Sequence, residues 1–550
     1  MGSGDGRGRI AGVLESSVFR HVLTAIFALA IFFSALVPVN SNDFWWHLKT
    51  GEYILQYHEV PSHDPFTYTS AADDPAYPGR QAFVLSQYWL AQASFAAVVN
   101  AFGFKGMIIF RALIFVAIGL LIVVFLRINA GGEVSFLPLI LFALATSVAL
   151  EDSDRPQVFS FLIALLVVLL VEGGVRGRRR WLFFLSIPVI WVASNLHGGY
   201  MAGLAFLAVY AGCSFFEERL KPFRGILVLV VPLSLAASYV NPGHWYAWRF
   251  LLPGSVPMAG TIMEYRSPFS ILSHTLSNPG WVAYWVMAGL SVGAVWHHLR
   301  RGRYSWTLLL SGTLAASLLS MRFVFFFVPL ATAVVALFIG ETVFRSPAVK
   351  NGLNGIFVLG AAAVVFLNPH NPNRMGITSV LQDMTFPAAA ADYMAAENLP
   401  QPVFNDVQYG GFLEWRLWPR YRMFTDTREL SGRVFDEYVA ILEAGPKGRA
   451  LMGSYGINTI ITPALDPPSG RIIPLVRWLH DNPDWSVVYA DGQCLIFVRT
   501  GLYAGGRRQK DSVYYEVLSE LQYWRRAYPW GPGYAESRAE AMRRLGLGGN

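Results

Sequence analysis

The chain has 550 residues, 54% of them hydrophobic and only 14% charged, with a mean hydropathy of +0.40. A soluble globular protein carries about 25% charged residues, so an ordinary cytosolic enzyme is excluded. The net charge of +7 reads as membrane orientation, because lysines and arginines stay on the cytoplasmic side, and it does not point to nucleic acid.

Arg7, Arg9 and Arg20 precede an apolar stretch at 22–37, and Pro38, Val39 and Asn40 follow where a cleaved signal would want a small-x-small site. The expectation is an uncleaved first span. Apolar runs then place eleven spans near 19–38, 104–126, 134–150, 157–174, 181–196, 199–216, 224–240, 282–296, 304–320, 323–343 and 353–367. Pro188 predicts a kink in the fifth. Loops on one side hold Arg127, then Arg176 with Arg178, Arg179 and Arg180, then Arg219, Lys221 and Arg224, then Arg300, Arg301 and Arg303, then Arg345 and Lys350. The alternate short turns hold only Arg155 and Arg322. This alternation puts the N-terminus in the cytoplasm and everything after about residue 369 outside. Cys213 and Cys494 then lie in different compartments, which leaves neither a disulfide framework nor a cysteine metal site.

The fold class expected is thus a polytopic α-helical membrane protein with an external C-terminal α/β domain. A transmembrane domain covers 1–368, with large external loops at 39–103 and 241–281; an α/β domain covers 369–500 and a helical tail 501–550. In the first loop, amphipathic segments at 45–57 and 87–100 suggest helices lying in the interface. In the C-terminal part, strand-like runs at 402–405, 422–425, 458–462, 485–489 and 494–499 alternate with helical runs at 388–398, 434–444 and 472–480. The tail reads as helical at 512–527 and 535–545 and as loosely docked.

Ionisable groups carry the functional signal. A transporter keeps its charges near the bilayer midplane, whereas here the span centres are nearly free of charge. Asp43, His47, Asp152, Asp154, Arg155, His197, His244, Glu264 and Arg322 gather instead toward the external face. Asp43 stands directly after the first span, beside Phe44, Trp45 and Trp46. It reads either as an acid activating an acceptor or holding a cation, or as a helix N-cap. Asp152 and Asp154, at i and i+2 in a tight turn, suit a hard oxygen-liganded cation such as Mg²⁺ or Mn²⁺; the other reading is a solvated hairpin. Glu264 is a third carboxylate for that cation, or half of a surface pair with Arg266. Arg322 and Arg155 suit phosphate; a snorkelling arginine is the plainer reading of the former. His197, in a turn with Gly198 and Gly199, is a headgroup ligand or a satisfied boundary histidine. Carboxylates for a divalent cation, arginines for phosphate and an aromatic interface for a lipid tail together describe a polyprenyl-phosphate-linked sugar as substrate.

This pattern resembles the GT-C superfamily of integral-membrane glycosyltransferases, and within it the oligosaccharyltransferase catalytic subunit. That family has a first-loop Asp, a D-x-D in the second external loop and a T-I-x-E in a later one, matched here by Asp43, Asp152-Ser153-Asp154 and Thr261-Ile262-Met263-Glu264. The resemblance implies that these acids hold the metal and the acceptor. The family's W-W-D-Y-G acceptor motif has only a loose counterpart, Phe404-Asn405-Asp406-Val407-Gln408-Tyr409-Gly410-Gly411, and the family has about thirteen spans, so sequon recognition does not follow. Segments 43–51, 405–415 and 425–428 also look like those of a broad group of bacterial membrane proteins of the same superfamily type.

The function expected is an inverting glycosyltransferase at the external face of a bacterial inner membrane. It moves a sugar from a polyprenyl-phosphate donor to a lipid, glycan or protein acceptor. Asp43 and Glu264 are the catalytic candidates; Asp43, Asp152, Asp154 and Glu264 are the metal candidates; Arg155, His197 and Arg322 are the phosphate candidates. His47, Asp406 and Tyr409 are placed on the acceptor side, with Asp406, Asp426 and Arg428 either facing the site, where Gly410-Gly411 would permit a close turn, or serving as helix and strand caps of an ordinary fold. The alternatives are a metal-independent ligase or polymerase of surface polysaccharide, relying on Arg322 and His197, a transporter or lipid flippase, and a non-catalytic scaffold.

Overall fold

The structure, a computed structural model, describes residues 17–70, 74–130, 137–150, 154–243, 246–250, 263–342, 356, 359–360, 386–527 and 532–547. The chain divides into two compact units. The first comprises Met1–Val39 and Gln87–Val380, the second Asn40–Ser86 and Leu381–Asn550.

The first unit is a bundle of apolar helices. Helices Ser17–Ser34, Trp89–Asn129, Leu137–Leu150, Gln157–Arg176, Ser186–Leu196, Tyr200–Cys213, Arg224–Ser238, Pro279–Arg300, Tyr304–Leu319 and Val324–Thr342 fall on ten of the eleven expected spans. The eleventh, near 353–367, lies almost entirely outside the described residues. Among the described residues four helices are long and apolar enough to cross a membrane: Trp89–Asn129, Gln157–Arg176, Lys221–Ser238 and Met321–Thr342. Four more, including Tyr200–Cys213 and Tyr304–Leu319, are apolar but shorter. The core is built from Phe115, Ile118, Val167, Val168, Tyr210, Leu310, Phe327 and Val334, all buried.

Two local features follow from single residues. Pro188 has no N–H to offer the carbonyl four residues back, and the expected kink appears as a break between Trp181–Phe184 and Ser186–Leu196. The segment at 87–100 is helical, as expected, and meets the second span at a kink. Both belong to Trp89–Asn129, interrupted at Gly103, whose φ of 66° only glycine adopts without strain.

The second unit is α/β. Strands β1 (Val403–Asn405), β2 (Thr459–Thr462), β5 (Trp485–Ala490) and β6 (Leu495–Arg499) form one sheet in the order β1-β2-β6-β5. The pairing of β1 with β2 is parallel, and β6 is antiparallel to both its neighbours. Strands β3 (Leu465–Asp466) and β4 (Arg471–Ile472) make a small separate hairpin. All residues of β1 and β2 are buried, as expected of strands covered on both faces. The expected strand at 422–425 is a single parallel bridge between Thr67 and Met423, because the neighbouring segment supplies only that one partner.

Helices Ala388–Glu397, Gly432–Glu443 and Pro474–Asp481 lie where the sequence places them, and Val407–Leu417 and Pro446–Ser454 are added. The tail helices, Ser512–Ala527 and Tyr534–Arg544, are firmly docked. Val513, Tyr514, Val517 and Ala541 are buried in the same core as Phe404, Ile460 and Phe497. Glu520 accepts the backbone N–H groups of Ala464 and Leu465 at 2.7 and 2.9 Å. Gly410 and Gly411 form no turn. They lie inside Val407–Leu417, where Gly410 abuts the carbonyl of Thr425 and Gly411 the backbone of Asn42 and Trp46.

Candidate functional site

In the first unit the turn at 154–156, the turn at 197–199, the short helix Met263–Tyr265 and the turn entering Val324–Thr342 bring four of the expected residues together. Glu264 lies between two guanidiniums, Arg155 at 3.2 Å and Arg322 at 3.7 Å. Arg322 also donates to the hydroxyl of Tyr265 and lies 4.9 Å from the centre of its ring. The Ser320 hydroxyl donates to the carbonyl of Glu264 at 2.9 Å, and the Met321 N–H to that of Arg266 at 2.9 Å, which fixes the loop to the helix end. The side chains of Arg155, Glu264 and Arg322 are 23%, 21% and 32% exposed, so a solute can reach them. Accessible guanidiniums of this kind suit an anion.

His197 completes this cluster. It stacks against Tyr88 with centroids 5.6 Å apart. Its Nδ1 accepts the N–H of Gly199 at 2.9 Å and lies 2.8 Å from the Ser160 hydroxyl. Burial, together with the charges of Arg322 and Arg155, pushes its pKa down to about 3. The ring is therefore neutral, and with Nδ1 accepting from Gly199 its proton sits on Nε2. Tyr88, Ser160 and Tyr265 carry no motif; their roles come from packing alone.

Asp154 has another partner. Its carboxylate takes a hydrogen bond from Arg111, and both side chains are buried, 1% and 0% exposed. The other terminal nitrogen of Arg111 donates to the carbonyls of Ala35 and Val37, tying the end of the first helix to the second span. Asp152 lies outside the described residues, as do His244 and the Thr261 and Ile262 of the T-I-x-E stretch. Among the described residues no group of three or more His, Cys, Asp or Glu could hold a metal ion. The carboxylates of Asp154 and Glu264 each face an arginine, while Asp152, the other metal candidate of this turn, lies outside the described residues.

In the second unit Asp43 is the first residue of helix Asp43–Tyr57, whose cap position is Asn42. The half-buried carboxylate of Asp43 accepts the Thr427 hydroxyl. Two residues on, Glu429 has left-handed backbone with φ of 49°, and its carbonyl accepts Arg80 Nε at 3.0 Å. Its carboxyl is pushed up to about 7, first by burial; Arg80 opposes the shift, and Asp43 and Asp426 add to it. Thr427 and Glu429 escape the sequence reading of single residues, although 425–428 stands out as a segment.

The acceptor-side candidates are internal to this unit. His47 is buried on Asp43–Tyr57, its ring 3.5 Å from that of Trp46. Asp406 caps Val407–Leu417 through the Gln408 N–H at 2.9 Å and accepts the Tyr438 hydroxyl at 2.9 Å. The Tyr409 hydroxyl donates to the carbonyl of Gln493 at 2.7 Å. Asp426 and Arg428 belong to a buried charge cluster: Arg428 donates to Asp64 at 2.8 Å, to Asp426 at 2.5 Å and to Glu414 at 3.2 Å.

No family model matches the sequence, and no curated protein matches it significantly. Solved structures do. The oligosaccharyltransferase AglB of Archaeoglobus fulgidus, in complex with an inhibitory peptide and a dolichol-phosphate, aligns with a TM-score of 0.57 and 10% identity over 92% of this chain and 78% of that one. An oligosaccharyltransferase of the same archaeon in complex with Zn and sulfate gives 0.52 and 10%, over 90% and 76%. ArnT from Cupriavidus metallidurans bound to undecaprenyl phosphate gives 0.54 and 13%, over 89% of this chain and all of that one, 100%. The chain has the fold of the GT-C membrane glycosyltransferases, at a distance that leaves the sequences almost unrelated.

Proposed function

We propose that this protein is a glycosyltransferase that moves a sugar from a polyprenyl-phosphate-linked donor to a lipid, glycan or protein acceptor at the external face of a bacterial inner membrane. The observation that carries the reading is the cluster of Arg155, Arg322, Glu264 and neutral His197 at the ends of apolar helices. Two guanidiniums at that place suit a phosphate whose tail lies in the bilayer. Solved structures of the same fold hold dolichol-phosphate or undecaprenyl phosphate.

In this reading the bond between the sugar C1 and the phosphate oxygen breaks as the acceptor's nucleophile bonds to C1 from the opposite side, inverting the centre. The departing lipid phosphate keeps the electron pair of that bond, and Arg155 and Arg322 stabilise its charge. Within the second unit, Asp43 is the candidate base for the acceptor's proton, and the Thr427 hydroxyl donates to its carboxylate.

The arginine contacts of Asp154 and Glu264 favour the metal-independent form of the reaction over the one in which these acids bind Mg²⁺ or Mn²⁺. The deciding assay measures transfer from a lipid-linked sugar with and without EDTA, for the wild type, Asp43→Asn and Arg322→Ala. Loss in both variants with EDTA without effect is the expected result. Wild-type transfer in both variants would remove the assigned roles, and loss on chelation restored by Mg²⁺ or Mn²⁺ would return the carboxylates to a cation.

A further inference from the structure

A cavity of about 600 Å³ opens in the first unit, lined by Val209, Gly212, Cys213, Phe216, Leu299 and Leu308 among others. It falls within the ~300–1,000 Å³ typical of ligand pockets. It is distinct from the cluster around Glu264. Tyr304 and Thr307, in the first turn of Tyr304–Leu319, line the cavity, whereas Ser320, just past the last turn, holds Glu264. A helix of that length puts roughly 22 Å between the two.

Three properties define the occupant. The lining is almost wholly carbon and offers ordered water too few partners. Gly212 is one of the lining residues, and a Cβ built on it meets no atom within 4 Å, so a larger side chain there finds open space. Two arginines adjoin the lining: Arg300 follows Leu299 directly, and Arg224 donates to the carbonyl of Ser214, next to Cys213. Arg300 is exposed, with its guanidinium 4.3 Å from the Trp296 ring centre, and that of Arg224 is 4.9 Å from the Phe215 ring centre. The nearby acids are already answered: Glu172 and Glu217 by Arg219, Glu218 by Lys221, and Glu341 by Arg301 and Arg303.

We propose that this cavity binds one acyl chain of an anionic phospholipid, with Arg300 and Arg224 receiving its headgroup phosphate. An apolar slot between spanning helices beneath a basic rim is the physical form of such a site.

The test reconstitutes the full chain in phosphatidylcholine vesicles containing phosphatidylglycerol spin-labelled on one acyl chain, and reads the immobilised fraction. The expected result is a fraction well above that of labelled phosphatidylcholine. Gly212→Phe and Gly212→Leu reduce it to the phosphatidylcholine level, while Gly212→Ala retains it. Arg300→Ala and Arg224→Ala each weaken the preference for the anionic lipid by roughly fivefold. Thermal unfolding of each variant certifies its fold, and if Gly212→Phe does not fold, Gly212→Leu and the arginine variants decide. The proposal is overturned if folded Gly212 variants immobilise the probe like wild type, if the two lipids are held equally, or if undecaprenyl phosphate displaces the probe where unlabelled phosphatidylglycerol does not.

Discussion

The hydroxyl of Thr427 donates a hydrogen bond to the carboxylate of Asp43, 384 positions away in the sequence. A hydrogen bond to a charged group contributes about 1.5–3 kcal/mol, enough to hold one rotamer of a half-buried acid. Thr427→Val should therefore lower kcat for sugar transfer by about tenfold or more with little change in KM, and Thr427→Ser should restore most of it. Equal activity in Val and Ser variants would show that the contact does not position Asp43.

Glu264 neutralises part of the charge that Arg155 and Arg322 would offer a lipid phosphate. If the arginines bind phosphate, Glu264→Gln removes a competitor and tightens binding of undecaprenyl phosphate severalfold, while Arg322→Ala weakens it. Partly exposed pairs are screened, so the gain is modest and shrinks with added salt. Titration of the lipid phosphate against both variants at two salt concentrations checks this. Weaker binding in Glu264→Gln would mean that the carboxylate supports the phosphate site instead of competing with it.

In the second unit one guanidinium, Arg428, serves Asp64, Asp426 and Glu414, none of them more than 2% exposed. Removing it by Arg428→Met strands buried carboxylates, at a cost of about 3–5 kcal/mol read from thermal unfolding. Glu414 is held well above the ordinary carboxylate range, first by burial and then by Asp426, against the pull of Arg428. Asp426 is held below its ordinary value, with Arg428 the largest lowering influence against burial. Glu414 therefore keeps the proton of the pair. A raised folded-state pKa gives stability that is complete below about pH 4.3, the unfolded value of Glu, and is lost as pH rises toward the folded value. The unfolding midpoint of the wild type should fall between about pH 5 and pH 8 more steeply than that of Glu414→Gln, which mimics the protonated acid. Identical slopes would place the proton elsewhere. Asp426 has the opposite sign, but its contribution is lost only on acidification below its ordinary value, outside that interval.

A methyl group on Gly410 would stand 2.3 Å from the carbonyl oxygen of Thr425 and 2.7 Å from the backbone of Asp426. Backbone cannot swing aside as a flexible side chain can, so Gly410→Ala should cost about 1–3 kcal/mol of stability. It should also reduce transfer beyond the stability loss, because the displaced segment carries Thr427. Gly453→Ala, where a Cβ meets nothing within 4 Å, is the control expected to leave both unchanged.

What the sequence determined by itself was what local composition encodes. Hydropathy and length place ten helices of the first unit, Pro188 marks the break before Ser186–Leu196, and alternating short apolar runs place β1, β2, β5 and β6 to within a residue or two. The same reasoning missed Val407–Leu417, where two glycines suggest a turn but serve the close packing of a helix on backbone. It also extended a one-residue bridge at Met423 into a strand. The tertiary structure alone decided what each charge does. Asp154 meets Arg111 across 43 residues, Glu264 meets Arg155 across 109, and Asp43 meets Thr427 across 384. Periodicity is a property of neighbouring residues and can be read along the chain. The partner of a carboxylate is fixed by which elements pack side by side, and only the folded chain states that.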